Sequence, residues 1–216
     1  MSSTPYYPIS MNLAGKPCVV VGGGSVAARK VSGLLGAGAE VTVISPKIVP
    51  ALKNRVKNNS IHWIQDNYKK EYLAEMVLVF GATDVPEVNR QISLDAQSLG
   101  LPVNIADEPE NCTFILPAIC KKGDIQIAVN TGGSAPGIAA KIRNSIDGHI
   151  GNEYTVLVSL LKELRSRIKR IPQKARDRFW QRIKQMDIDS FQNNTDELTE
   201  TVTAWMHEAE RTGNQL

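Results

Sequence analysis

Three consecutive glycines, Gly22-Gly23-Gly24, followed by Ala27, give this 216-residue chain the pattern Gly22-x-Gly24-x-x-Ala27. Glycine at the first position permits a tight turn. Glycine at the third lets a pyrophosphate approach the backbone with no Cβ in the way, and alanine at the last lets a helix pack closely on a strand. A helix opening at Ser25 and Val26 would add free N–H groups and the positive end of its dipole. The chemistry on offer is dinucleotide binding, with Gly22, Gly23, Gly24, Ser25, Val26 and Ala27 as the candidate cofactor contacts. A glycine pattern alone is weak and could be a structural turn. The strand before it, the helix after it and a second strand about 20 residues on make it specific.

Two further loops belong to the same expected site. The second strand ends at Ser45-Pro46-Lys47, where such folds ordinarily carry Asp or Glu for the adenosine ribose. Ser45 offers a hydroxyl to a ribose, Pro46 adjoins it, and Lys47 would tolerate a 2′-phosphate, so the residues leave NAD and NADP both open. Gly81-Ala82-Thr83-Asp84 follows a strand ending at Phe80. Thr83 and Asp84 there either touch the cofactor or cap the next helix. Asp107 follows a third strand on the same edge. A carboxylate beside a nicotinamide can take the proton that accompanies hydride loss. In Asp107-Glu108-Pro109 it can equally be a turn former.

These loops need a scaffold, and hydrophobic periodicity supplies one. Apolar runs at 17–21, 40–44, 61–64, 76–80 and 102–106 alternate with helical patterns at 25–35, 46–57 and 86–99. Such alternation predicts an α/β fold with a parallel, Rossmann-type sheet. After Asp107 the rhythm changes. Runs at 113–119 and 124–130, joined by Lys121-Lys122-Gly123, read as a hairpin, and 135–150 reads as a helix with Pro136 in its first turn. Helical patterns follow at 153–169, 172–186 and 196–211. The expected organisation is a Rossmann-like domain over 1–112, a small α+β region over 113–150 and a helical domain over 151–216.

Composition narrows the function classes. The net charge of +3 does not by itself call for nucleic acid. Ten Lys or Arg lie between Lys162 and Lys184, and seven acids with no Lys or Arg lie between Gln185 and Glu210. That segregation reads as solvated helix faces or as a basic wall for an acidic ligand. Cys18, Cys112 and Cys120 form no CxxC, and His62, His149 and His207 are scattered, so no zinc, iron or disulfide site is expected. The first eight residues lack the pattern of a signal peptide, and no apolar run approaches a membrane span. The expectation is a reduced, cytoplasmic protein without membrane or nucleic-acid partners.

Tyr7-Pro8, Asn12-Leu13-x-Gly15-Lys16, Val20-Val21-Gly22-Gly23-Gly24-x-Val26-Ala27-x-Arg29-Lys30 and Ala82-Thr83-Asp84 resemble the precorrin-2 dehydrogenase family. So do Val103-Asn104-x-x-Asp107-x-Pro109, Phe114-Ile115-x-Pro117-Ala118 and Thr131-Gly132-Gly133-Ser134-x-Pro136. That family includes the N-terminal half of siroheme synthase and stand-alone dehydrogenase/ferrochelatases. The match runs in order from Tyr7 to about His149, and the helical tail shares only general character. The resemblance implies NAD as acceptor, precorrin-2 as substrate and sirohydrochlorin as product, with Fe²⁺ insertion in some relatives. It implies a homodimer formed through 113–150, and Asp107 as the catalytic residue. Some relatives carry Ser at the position of Thr131. A substrate with eight carboxylates would want cations, and Lys121, Lys122, Lys141, Arg143 and the basic stretch 165–182 are the candidates.

Three other functions compete. A carbonyl reductase on this fold would need Tyr-x-x-x-Lys, and no tyrosine here has a lysine four residues on. A non-enzymatic NAD-sensing module would share the glycine loop but have no need of Asp107. A nucleic-acid binder would interleave aromatics in the basic stretch, where only Phe179 and Trp180 occur, both with the look of core.

Overall fold

The apolar run Pro17–Val21 forms β1, and its last four residues are buried alternately against the two faces of the sheet. A strand buried on both sides reads as a continuous Val-rich run, and this one does. In the computed structural model, which describes residues 6–213, the chain divides into two units, Met1–Leu116 and Pro117–Leu216. The opening stretch read as carrying no leader lies, for its first five residues, outside the described residues.

In the first unit β1 is joined by β2 (Glu40–Ile44), β3 (His62–Ile64), β4 (Leu78–Gly81) and β5 (Val103–Ile105). All pair in parallel, in the order β3-β2-β1-β4-β5. The strand order reverses between β1 and β4, which is where ligands of such sheets bind, outside the carboxyl ends. Helices α1 (Ser25–Gly36) and α2 (Pro50–Lys57) cover one face, burying Ala27, Val31, Leu34 and Leu52 against Cys18, Val20 and Val43. Helix α3 (Pro86–Ser98) covers the other, placing Ile92 and Ala96 against Val19, Val79 and Val103. The α/β expectation holds, with several elements starting late: β3 begins at His62 rather than 61, β4 at Leu78 rather than 76 and β5 at Val103 rather than 102. The largest change is in α2, which begins at Pro50 rather than 46, because proline fits a helix's first turn and not its interior.

The second unit holds an antiparallel hairpin, β6 (Ala118–Lys122) and β7 (Ile125–Val129), and helices α4 (Pro136–His149), α5 (Asn152–Arg170), α6 (Gln173–Gln185) and α7 (Thr195–Gly213). The strand expected at 113–119 is corrected here. Pro117 lacks the N–H a ladder needs, so β6 starts after it and the turn falls on Gly123 and Asp124. Thr113 instead donates its N–H to the Val103 carbonyl (2.9 Å), and Phe114 stacks edge-on against Phe80, 5.5 Å between centroids.

The charge segregation has a structural reason. Basic α5 and α6 pack on acidic α7 around Leu157, Leu164, Ile168, Phe179, Leu198, Val202 and Met206. At the rim Arg167 reaches Glu210 through two bonds of 2.9 and 2.8 Å, and Arg182 reaches Glu208. Phe179 is core as expected. Trp180 is not: it lies at the surface, 36 % exposed, edge-on to Phe179. Among the described residues no helix is long and apolar enough to cross a membrane.

Candidate functional site

The loops after β1, β4 and β5 begin side by side. Gly22 N–H bonds to the Ile44 carbonyl, Ala82 N–H to Val21, and Ala106 N–H to Gly81, each within 2.9 Å. The glycine loop divides into two kinds of requirement. Gly22 has φ +128°, and a Cβ on it would lie 2.1 Å from the Ala82 carbonyl oxygen. A Cβ on Gly23 would lie 1.8 Å from the Lys47 carbonyl oxygen. The protein itself demands those two. A Cβ on Gly24 would meet nothing within 4 Å. The space it would fill opens at the N-terminus of α1, where no side chain caps the helix and no acid sits in the first turn. The first intrahelical bond is Ala28 N–H to Gly24 O, leaving the first-turn amides of Ser25, Val26 and Ala27 outside the ladder. Ala27 itself is fully buried. These residues fit the phosphates of a dinucleotide.

The Ser45 hydroxyl donates to the Lys47 carbonyl (2.7 Å), and the Ser45 carbonyl accepts from Trp63 Nε1 (2.9 Å). Pro46 and Lys47 are exposed beside it. Thr83 is heavily engaged: its hydroxyl donates to Asn89 Oδ1 (2.8 Å) and accepts from Val85 N–H (3.3 Å). Asp84 is exposed, and α3 has no side-chain N-cap, so neither residue serves α3 in that role.

Asp107 is exposed and has φ +61°, in the left-handed region that few non-glycine residues adopt. Its side chain makes no hydrogen bond or ion pair within the protein among the described residues. Its surroundings, by contrast, are fastened. Lys30, half-buried on α1, donates to Asn104 Oδ1 (2.9 Å) and stands over the Phe80 ring at 5.3 Å. Burial pulls the Lys30 ammonium below its usual range, while the Asp107 charge pushes the other way. Cys112 Sγ accepts from Ile105 N–H (3.1 Å), and burial raises its thiol above the usual range. Of this group, Asn89 and Cys112 escape sequence reasoning. The one available signal for Asn89 was a polar residue at a position helical spacing assigns to the buried face with Ile92, Ser93 and Ala96.

The cationic candidates lie in the second unit. Lys121 and Lys141 are exposed. Lys122 is committed to structure, donating to the Asp147 and Ile150 carbonyls at 2.7 and 2.6 Å and so closing the end of α4. Arg143 is half-buried, with Nε unpaired. Thr131 Oγ1 accepts from Ala135 N–H (3.2 Å) just before α4. Among the described residues no group of three or more His, Cys, Asp or Glu could hold a metal ion.

Comparison with known proteins places these features in context. Residues 9–118 match a family described as putative NAD(P)-binding, and residues 122–149 one described as sirohaem biosynthesis protein central. The siroheme synthase of Methylobacillus flagellatus is 43 % identical over 162 residues, covering 75 % of this chain and 35 % of that protein. That of Thioalkalivibrio sulfidiphilus is 39 % identical over 180 residues, covering 82 % and 37 %. The chain thus spans about a third of the length of these curated relatives. Among solved structures, that of SirC, precorrin-2 dehydrogenase, superposes with a TM-score of 0.75 over 95 % of this chain and all of that one, at 21 % identity. That likeness shows the fold.

Proposed function

The chain belongs to the putative NAD(P)-binding family, and on that premise we propose that it works in siroheme biosynthesis, oxidising precorrin-2 to sirohydrochlorin with NAD as acceptor. The observation that carries the reading is the opening at Gly24, beside an uncapped helix N-terminus, on the same sheet edge as Asp107. Gly22, Gly23, Gly24 and the amides of Ser25, Val26 and Ala27 would hold the pyrophosphate. Ser45 and Pro46 would border the adenosine ribose, with Thr83 and Asp84 on the adjoining loop. When bound, NAD supplies the hydride acceptor. Dehydrogenation removes a hydride and a proton from the substrate, and Asp107, whose carboxylate has no hydrogen-bond or ion-pair partner among the described residues, takes the proton. Lys121, Lys141 and Arg143 are the cations proposed for the substrate's carboxylates, with Lys122 a weaker choice given its two carbonyl partners. Fe²⁺ insertion would be a second step on the product, sirohydrochlorin, with iron as cargo rather than resident metal and two ring N–H protons released.

Assembly as a homodimer is part of the proposal. The expected functional division is a cofactor domain over 1–112, a dimerisation region over 113–150 and a helical domain over 151–216. A two-stranded hairpin is marginal alone. The outer face of this one exposes Ile119, and α4 exposes Ile138 and Ile142, four residues apart on one side. Those side chains suit burial against a second copy. Light scattering at micromolar concentration should give twice the chain mass, and one chain's mass would contradict it. A cytoplasmic setting is proposed with it, on the free state of Cys18, Cys112 and Cys120.

The direct test is anaerobic incubation with precorrin-2 and NAD, followed spectroscopically, then repeated with Fe²⁺ or Co²⁺. Sirohydrochlorin appearing in step with reduced NAD supports the proposal. NAD binding without turnover would favour a sensing module instead.

A further inference from the structure

Asn89, in the first turn of α3, is 4 % exposed, and a primary amide buried so deeply is costly unless its polar groups are matched. All four of its hydrogen-bonding positions are filled. Oδ1 accepts from the Thr83 N–H (3.2 Å) and hydroxyl (2.8 Å). Nδ2 donates to the Thr83 carbonyl and to Glu108 Oε1, each at 3.1 Å. The second Glu108 oxygen accepts from Asn111 Nδ2 (2.7 Å). One side chain therefore joins the loop after β4 to the loop after β5.

The far side of the β5 loop is fastened separately. Cys112 Sγ accepts from Ile105 N–H, and its S–H has the Ile105 and Glu108 carbonyls in reach at 3.3 Å each. Between these two fixings stands Asp107, left-handed, its side chain without hydrogen-bond or ion-pair partners among the described residues. A non-glycine residue persists in that conformation where the surroundings over-determine it. Here its neighbours do so.

We propose that Asn89 is a positioning residue for the reaction: through Glu108 it holds the turn that presents Asp107, and through Thr83 it ties that turn to the cofactor side. The assignment rests on the reading of Asp107 as proton acceptor. It also divides labour between adjacent carboxylates. Glu108 is an anchor with both oxygens occupied by amide donors, and Asp107 keeps its lone pairs free.

Asn89→Asp preserves size and the acceptor toward Thr83, but sets a carboxylate against Glu108. It should lower kcat by about 10–100-fold, as expected for a displaced catalytic group. Introduced into Asp107→Asn, the same change should cost less than about twofold more, because Asn89 acts through Asp107. Losses that multiply would overturn the proposal, since a general structural role is indifferent to residue 107. Amide hydrogen exchange of residues 105–111 should also speed by about tenfold or more in Asn89→Asp, with β1 and α1 unchanged. Unchanged exchange in that segment overturns the proposal without reference to turnover, so it decides even if wild-type protein fails to oxidise precorrin-2 and the functional reading falls. If Asn89→Asp does not fold, Glu108→Gln replaces it. Its loss should be smaller than that of Asp107→Asn, and an equal loss would make Glu108 the base.

Discussion

The loop after β1 and the loop after β5 open on the same edge of one sheet, yet they are shaped by opposite means. The first is shaped by side chains that are missing. The carbonyl oxygens of Ala82 and Lys47 lie 2.1 and 1.8 Å from where a Cβ on Gly22 and Gly23 would stand. The second is shaped by side chains that are present: Asn89, Glu108, Asn111 and Cys112 fasten a turn with no glycine in it. At Gly22 and Gly23 the first loop tolerates no added side chain, whereas a loop of hydrogen bonds can be loosened one bond at a time.

The sharpest break in that comparison is at Gly22. Gly22→Ala adds both a left-handed-region penalty and a clash with main chain, and should destabilise the first unit by about 3 kcal/mol or more, read in urea unfolding. Wild-type stability for that variant would mean the Ala82 loop moves freely. Gly24→Val probes the same loop where the protein leaves the space open. It should weaken NAD binding by about a hundredfold or more in calorimetry while the fold and oligomeric state stay intact. Undiminished affinity would remove Gly24 from the cofactor site, and tighter binding of NADP than NAD would reverse the cofactor assignment.

In the second loop Cys112→Ala leaves the Ile105 N–H unmatched and should cost about 1–3 kcal/mol, with Cys112→Ser recovering most of it. The smallest effect concerns Cys18, whose thiol is pushed up to about 11 by burial in β1. The folded state favours its protonated form, so its contribution to stability is complete below the ordinary thiol range and fades as pH rises toward about 11. Near neutral pH iodoacetamide should label native Cys18 about a hundredfold more slowly than a free thiol, and rapid labelling would contradict that burial.

The same contrast explains what could be read from the amino-acid sequence. Glycine spacing, the Val-rich run 17–21 and the alternation of strands and helices are local, so the parallel sheet and the loop Gly22–Ala27 were legible. Thr113–Pro117 looked like strand by composition, but Phe114 is drawn to Phe80 and Pro117 cannot donate to a ladder. Trp180 looked like core because it adjoins Phe179, though a helix turns successive residues about 100° apart. The network around Asp107 was invisible for a different reason. Asn89 and Glu108 are 19 residues apart, and only the pairing of β4 with β5 brings their loops together.

We propose that Asp107 accepts a proton during NAD-dependent oxidation of precorrin-2. Asp107→Asn tests it most directly, since the amide keeps the size of the side chain and cannot take the proton. With NAD affinity unchanged, turnover of precorrin-2 should fall by about 10²–10⁴-fold, and the loss should lie in kcat. Turnover within a few-fold of wild type would return Asp107 to the role of a turn residue.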